Sequence, residues 1–145
     1  MSEHPDLTTL IEAAYAAVVA EVHRRLDAAG FADIRPAHGK VFDTIGQDGS
    51  RITDMAERAQ VTKGSMVELV DHLQRGGYLE RVPDPADGRA KIVRLTPRGW
   101  DAVRVAVGAI ADAEQRWTAH VGERNMRALR RALQALPPLL DPGGR

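Results

Sequence analysis

The chain has 145 residues, 43% hydrophobic and 28% charged, which predicts one globular domain rather than a disordered or staple-dependent chain. It contains no cysteine, so disulfides, thiolate metal sites, cysteine nucleophiles and thiol redox sensing are excluded. The formal net charge is zero, but residues 1–34 carry 2 basic and 6 acidic side chains, residues 35–100 carry 11 and 9, and residues 101–145 carry 7 and 5; the small basic excess gathers between Arg81 and Arg98, where Arg81, Arg89, Lys91, Arg94 and Arg98 stand against Asp84 and Asp87.

The opening Met1-Ser2-Glu3-His4-Pro5-Asp6 is polar and acidic, unlike a secretory leader. The longest uncharged apolar stretch, residues 13–20, is far shorter than the ~20 residues that span a bilayer. The expectation is a soluble, cytoplasmic protein without a membrane partner. Residues 6–29 place Leu7, Leu10, Ile11, Ala14, Val18, Val22 and Leu26 at three- and four-residue steps, one apolar stripe on a long helix. Gly30 follows as its stop. Pro36 suits the first position of a second helix, with Val41, Phe42 and Ile45 inward and Gly46 at its end. Gln47-Asp48-Gly49-Ser50 is a turn.

A third helix is predicted from Thr53, as N-cap, to Ala59, with Met55, Ala56 and Ala59 facing the core. Only Gln60 and Val61 separate it from Thr62, the N-cap of a fourth helix that runs to Arg75. Met66, Leu69, Val70 and Leu73 share one face of that helix, and Gly76-Gly77 stops it. Two short helices joined by a tight turn make a helix-turn-helix. Residues 78–82 and 90–96 read as two strands around a turn-rich 83–88. Thr96-Pro97 starts a fifth helix with Trp100, Val103, Val107, Ile110, Ala111 and Trp117 at helical spacing. Gly122 breaks it, and a sixth helix over 123–136 turns Met126, Leu129, Leu133 and Leu136 inward. Pro137-Pro138 ends that helix, and Asp141 to Arg145 is a frayed tail.

The predicted fold class is mainly α with a small β-hairpin wing. It is a single domain, 1–145, in which a winged helix-turn-helix over 36–100 lies between long helices over 6–30 and 97–140. The apolar stripes of the first, fifth and sixth helices exceed what a winged helix of about 65 residues can cover, and an exposed stripe of that size marks an interface.

Several segments resemble the MarR family of transcriptional regulators. They are Asp54-Met55-Ala56, then Ser65-Met66-Val67-Glu68-Leu69-Val70-Asp71-His72-Leu73, Gly77-Tyr78-Leu79-Glu80-Arg81, Pro83-Asp84-Pro85-Ala86-Asp87-Gly88-Arg89-Ala90-Lys91 and Leu95-Thr96-Pro97-Arg98-Gly99. The resemblance is dense from residue 36 to 100 and architectural elsewhere, and the wing with its Asp-x-Arg spacing is its most specific part. It implies a homodimer joined through its terminal helices, with two recognition helices about one DNA turn apart, roughly 34–36 Å, on a palindromic operator in double-stranded DNA. It further implies a repressor relieved by a small aromatic or otherwise lipophilic acid.

The DNA-contacting candidates follow from position on the recognition helix and wing. Thr62, Lys63, Gly64 and Ser65 stand at the helix N-terminus, where side chains and free N–H groups meet phosphates or base edges. Thr62 and Ser65 read equally well as helix caps. Val67 and Glu68 replace the threonine and arginine frequent in the family. Val67 suits a thymine methyl, and Glu68 suits cytosine N4 or a surface arginine. Gly64, Glu68, Asp71 and Arg75 lie opposite the buried face, flanked by Lys63, Ser65, Val67 and His72. In the wing, Arg89 matches the family's minor-groove arginine, and Asp87 resembles the acid that orients it or ties the wing to the fold. Lys91 and Arg94 alternate along the second strand, as phosphate contacts or as solvated edge charges.

The effector site implied by the resemblance takes Tyr15 and His23 from the first helix and Arg35 and His38 from the start of the second. Arg35 would pair a carboxylate. Each of the four also reads as a surface or interlobe packing residue. His4, His23, His38, His72 and His120 are dispersed, with none at the i,i+4 spacing of a helical zinc pair. Glycine loops for phosphate and nucleophile elbows are absent, so the expectation is a protein that is not an enzyme and uses no metal or other cofactor. The alternative function is a winged-helix protein-interaction module without specific DNA binding, suggested by the acidic Glu68 and Asp71.

Overall fold

Asp6 opens the first helix: its carboxylate accepts from the Thr9 N–H at 2.8 Å, so the predicted stripe starts on a capped end. In the computed structural model, which describes residues 4–136, this helix, α1, runs Leu7–Ala28. It stops as expected. The Phe31 N–H donates to the Leu26 carbonyl at 2.8 Å and the Gly30 N–H to the Asp27 carbonyl at 3.2 Å, the paired bonds of a Schellman motif. The same stop ends the recognition helix α4 (Lys63–Arg75). There the Tyr78 N–H reaches the Leu73 carbonyl at 2.9 Å, and Gly77 takes φ +83°, a value that favours glycine.

The predicted second helix is shorter than expected. Pro36–His38 form a 3-10 turn, and α2 is one turn, Gly39–Phe42. Two local bonds explain this. The Arg35 N–H donates to the His38 Nδ1 at 2.7 Å, which tightens the first turn. The Thr44 hydroxyl donates to the Lys40 carbonyl at 2.6 Å, the kind of side-chain bond that competes with helix propagation. Val41, Phe42 and Ile45 still face the core.

Helix α3 runs Ile52–Ala59, with extended Arg51 at its N-cap position and Thr53 inside the first turn, which corrects the predicted Thr53 cap. The cause is long-range. Ser50 exchanges two backbone bonds with Val93, both 2.8 Å, and this keeps the chain extended to the edge of the helix. At the other end Gln60 stands at φ +55°, a left-handed residue without the usual glycine. Its N–H and that of Val61 donate to Glu57 and Ala56, so α3 also stops on a Schellman pair.

Strands β1 (Leu79–Pro83) and β2 (Lys91–Leu95) pair antiparallel, from Leu79 opposite Leu95 to Pro83 opposite Lys91. Helix α5 (Pro97–Val121) starts on Thr96, whose hydroxyl oxygen accepts from the Gly99 N–H at 3.1 Å. Gly99 admits no side chain, since a Cβ there would lie 2.2 Å from the Tyr78 carbonyl oxygen. After Gly122, α6 runs Glu123–Ala135. The predicted stop at Pro137-Pro138 and the tail from Asp141 lie outside the described residues.

The chain falls into two compact units that divide within α5, at Ala109 and Ile110. The first holds a core of Leu26, Phe31, Ile34, Val41, Met55, Ala56, Met66, Val70, Leu73, Tyr78, Leu79, Val93 and Ala102. Most of the stripe residues on the long helices do not enter it. Leu7, Leu10, Ile11 and Tyr15 on α1 are exposed, as is Val107. In the second unit Arg130 donates to the Glu114 carboxylate at 2.8 Å, and the Thr118 hydroxyl to the Glu114 carbonyl at 2.7 Å. Leu129 and Leu133, expected inward, are 47% and 41% exposed in the single chain.

Candidate nucleic-acid interface

The N-terminus of α4 is built by its cap. Thr62 is extended, and its hydroxyl oxygen accepts from the Ser65 N–H at 3.1 Å while the hydroxyl donates to the Ser65 Oγ at 2.9 Å. Both side chains therefore take part in the cap, Thr62 as donor and acceptor and Ser65 Oγ as acceptor. Lys63, Gly64, Ser65 and Glu68 are exposed and Val67 is half-buried, while Met66, Val70 and Leu73 on the other face are fully buried. Beyond Thr62 itself, nothing of the chain approaches the place where a Gly64 side chain would stand. Backbone N–H groups at this helix end remain available to an anion.

Loop chemistry shapes the wing. Asp84 opens it: its Oδ1 accepts from the Ala86 N–H at 2.9 Å, and its carbonyl accepts from the Asp87 N–H at 3.2 Å. Its Oδ2 accepts from Arg51 twice, from Nε at 3.0 Å and Nη2 at 2.8 Å. The backbone N–H of Ala86 and then the Arg51 guanidinium hold the Asp84 carboxyl below the usual carboxylate range, and Asp84 in turn raises Arg51. Asp87 acts more locally than expected. Its carboxylate accepts from the Arg89 backbone N–H at 3.1 Å, an Asx turn that leaves the Arg89 guanidinium unengaged. Asp84, through Arg51, ties the wing to the body.

One cleft of about 310 Å³ brings these parts together, lined by Arg51, Ile52, Thr53, Lys63, Arg81, Ala90, Lys91 and Val93. Lys63 from the recognition helix and Lys91 from the wing thus share one basic surface. Arg89 is exposed at the wing tip. Among the described residues no carboxylate pairs with Lys63, Arg89 or Lys91. The other cations near them are committed: Arg81 to Asp71 at 2.7 Å and to Gln74, and Arg94 to Glu80 at 2.6 Å across the hairpin. Sequence reasoning missed Arg51. It precedes a helix and lies 33 residues from Asp84, so neither period nor motif marked it.

The four effector candidates do not form one group. Tyr15 is 69% exposed, eight residues and about 12 Å along α1 from His23. Arg35 is exposed, but its backbone meets His38, which is buried. His38 stacks on His72, with ring centroids 4.5 Å apart and planes 20° off parallel. His72, predicted at the flank of the DNA-reading face, places Nε2 3.0 Å from the Asp33 carbonyl oxygen. The Asp33 carboxylate accepts from the Tyr78 hydroxyl at 2.5 Å, and Arg98 covers the Tyr78 and Phe31 rings and donates to the Tyr78 hydroxyl. Burial, then the bond to Asp33, pushes Tyr78 up to about 12, so it remains a donor. Among the described residues no group of histidine, cysteine and carboxylate side chains could hold a metal ion, and no helix is long and apolar enough to cross a membrane.

Residues 32–90 match the model of the MarR family. No curated protein matches the chain in sequence. Solved structures do match in fold. The reduced form of MarR from E. coli is 23% identical, with 94% of this chain and 100% of that one covered at a TM-score of 0.74. CouR from Rhodococcus jostii RHA1, bound to p-coumaroyl-CoA, is 22% identical, with 97% of each chain covered and a TM-score of 0.71. S. aureus MepR in its DNA complex is 20% identical, with 90% of this chain and 96% of that one covered at 0.69. The chain thus carries a segment similar to the MarR family model and shares the winged-helix fold of these regulators.

Proposed function

We propose that the chain binds a palindromic operator in double-stranded DNA as a homodimer, represses transcription there, and releases the operator when it binds a small aromatic or lipophilic acid. The observation that carries the DNA reading is the basic surface on which Lys63 and Lys91 meet, with Arg89 at the wing tip, all three without a carboxylate partner among the described residues. Cations so placed are free for phosphates, and Arg89 for the minor groove. Glu68 is exposed on the recognition face and suits cytosine N4. The likeness to MepR, solved with DNA, supports this.

Dimerisation draws support from each unit separately. Leu7, Leu10, Ile11 and Tyr15 in the first, and Val121, Leu129 and Leu133 in the second, are apolar surface that a single chain leaves in water. The effector reading rests on the likeness to CouR, solved with p-coumaroyl-CoA, and on Arg35 as an exposed cation beside His38. The protein-interaction alternative loses part of its support because Asp71 is paired with Arg81.

The test is enrichment of bound duplexes from a randomised pool by the full chain, followed by footprinting and light scattering. The account expects a two-fold symmetric site with half-sites about one helical turn apart, and about twice the 15.8 kDa chain mass. A monomer, or a pool from which no sequence is enriched, refutes it.

A further inference from the structure

We propose that the stacked imidazoles of His38 and His72 are an acid-sensing joint whose protonation frees the recognition helix α4 from residues 33–38 and weakens DNA binding. The DNA arm of this proposal rests on the function proposed above; the joint itself rests on geometry within the first unit.

The two rings have defined tautomers. His38 Nδ1 accepts from the Arg35 N–H at 2.7 Å, so its proton sits on Nε2. His72 Nε2 faces the Asp33 carbonyl oxygen at 3.0 Å, which can only accept, so that nitrogen carries the hydrogen. A second proton on His38 must enter at Nδ1. There it would turn the acceptor into a donor facing the Arg35 N–H, and the bond that tightens the 3-10 turn would be lost. A second proton on His72 spares the Asp33 bond but lays a cation against the stacked ring of His38, which is 4% exposed. Charging both rings puts like charges 4.5 Å apart, one of them on the buried His38.

The surroundings offer little relief. From α1, His23 comes close enough to act on His38 electrostatically, and its own Nδ1 is buried without a hydrogen-bond partner among the described residues. Arg35 adds a positive charge on the loop side. Among the described residues Asp33 is the carboxylate that favours a charged His38, and it already accepts from Tyr78, which Arg98 supports. Burial first, then the charge of His72, lowers His38 from its ordinary value of 6.5. The sign follows. A histidine lowered in the closed joint binds its proton more readily once the joint opens. Closure is therefore fully favoured above about pH 6.5 and loses ground as pH falls below it. His72 belongs to the helix that presents Lys63, so opening the joint removes one of that helix's fixed supports.

His38→Asn keeps an acceptor near the position of Nδ1, and His72→Gln keeps a donor near that of Nε2, but neither replacement titrates. The experiment compares the parent with the double variant at about pH 7.5 and about pH 5.5 at fixed salt. It measures affinity for the duplex enriched from the randomised pool, and the thermal midpoint. The parent should lose about tenfold in affinity and melt earlier in acid, since one linked proton changes an equilibrium by at most about tenfold per pH unit. The double variant should change less than about twofold. Equal pH dependence in the two proteins, or tighter binding by the parent in acid, overturns the proposal. A parent that binds no duplex even at the higher pH refutes the DNA reading, and the melting comparison then decides the joint alone: equal acid losses overturn it. Should the double variant not fold, imidazole NMR of the parent decides, because a His38 Nδ1 that stays unprotonated while binding and melting fall also overturns it.

Discussion

Arg51 and Asp84 offer the sharpest test of how the wing is positioned. Arg51 makes two bonds to one carboxylate oxygen, and the Arg51 side chain is 43% exposed. An ion pair that open contributes little to global stability, so Arg51→Ala should fold normally. Its expected effect is on the wing. Freed from Arg51, the segment from Asp84 to Arg89 must be re-ordered when it meets DNA, and fixing even one residue's backbone costs about tenfold in affinity. Arg51→Lys retains the charge but not the fork, so it should lose nearly as much as Arg51→Ala. Asp84→Ala should lose more than either, because it also removes the acceptor for the Ala86 N–H. That ordering runs against simple electrostatics, since deleting an acid near DNA should strengthen binding. Fluorescence anisotropy on the enriched duplex, with circular dichroism to confirm folding, measures the series. Tighter binding by Asp84→Ala, or parental affinity in Arg51→Lys, refutes the positioning role.

Arg89→Ala should leave folding intact and weaken operator binding by at least about tenfold, about 1.4 kcal/mol, in a titration at fixed salt. Gln60→Gly relieves a left-handed residue and should stabilise the chain by roughly 1 kcal/mol in urea unfolding, partly offset by the flexibility glycine adds to the unfolded chain. Gly99→Ala drives a methyl group into the Tyr78 carbonyl and should destabilise by about 3 kcal/mol, read from the same unfolding curves.

What the sequence made legible is local. Asp6, Thr62 and Thr96 cap as their residue types predict, Gly30 and Gly77 stop the helices before them, and the hairpin pairs in the expected order. The misplacements come from interactions that periodicity does not encode. Helix α3 starts at Ile52 because Ser50 pairs with Val93, more than forty residues away in the chain. The second helix shrinks because the His38 ring bonds to the Arg35 backbone. Gln60 adopts a glycine-like conformation without a glycine to announce it. Arg89 and Lys91 were marked in the sequence by the wing motif and Lys63 by its place at the start of the fourth helix, and all three are exposed. The Arg51–Asp84 tie and the His38–His72 stack join residues that share no element, so they emerge only from the folded chain.

If the α4 terminus and the wing form a phosphate-binding surface on this chain of zero net charge, binding must depend on salt. The affinity of the full-length protein for its enriched duplex between about 50 and 200 mM salt tests it most directly. Affinity should fall steeply, its logarithm by about 0.9 per neutralised phosphate for each tenfold rise in salt, with a shallower slope for Lys63→Ala and Lys91→Ala. Salt-independent binding, or an unchanged slope in both variants, would contradict it.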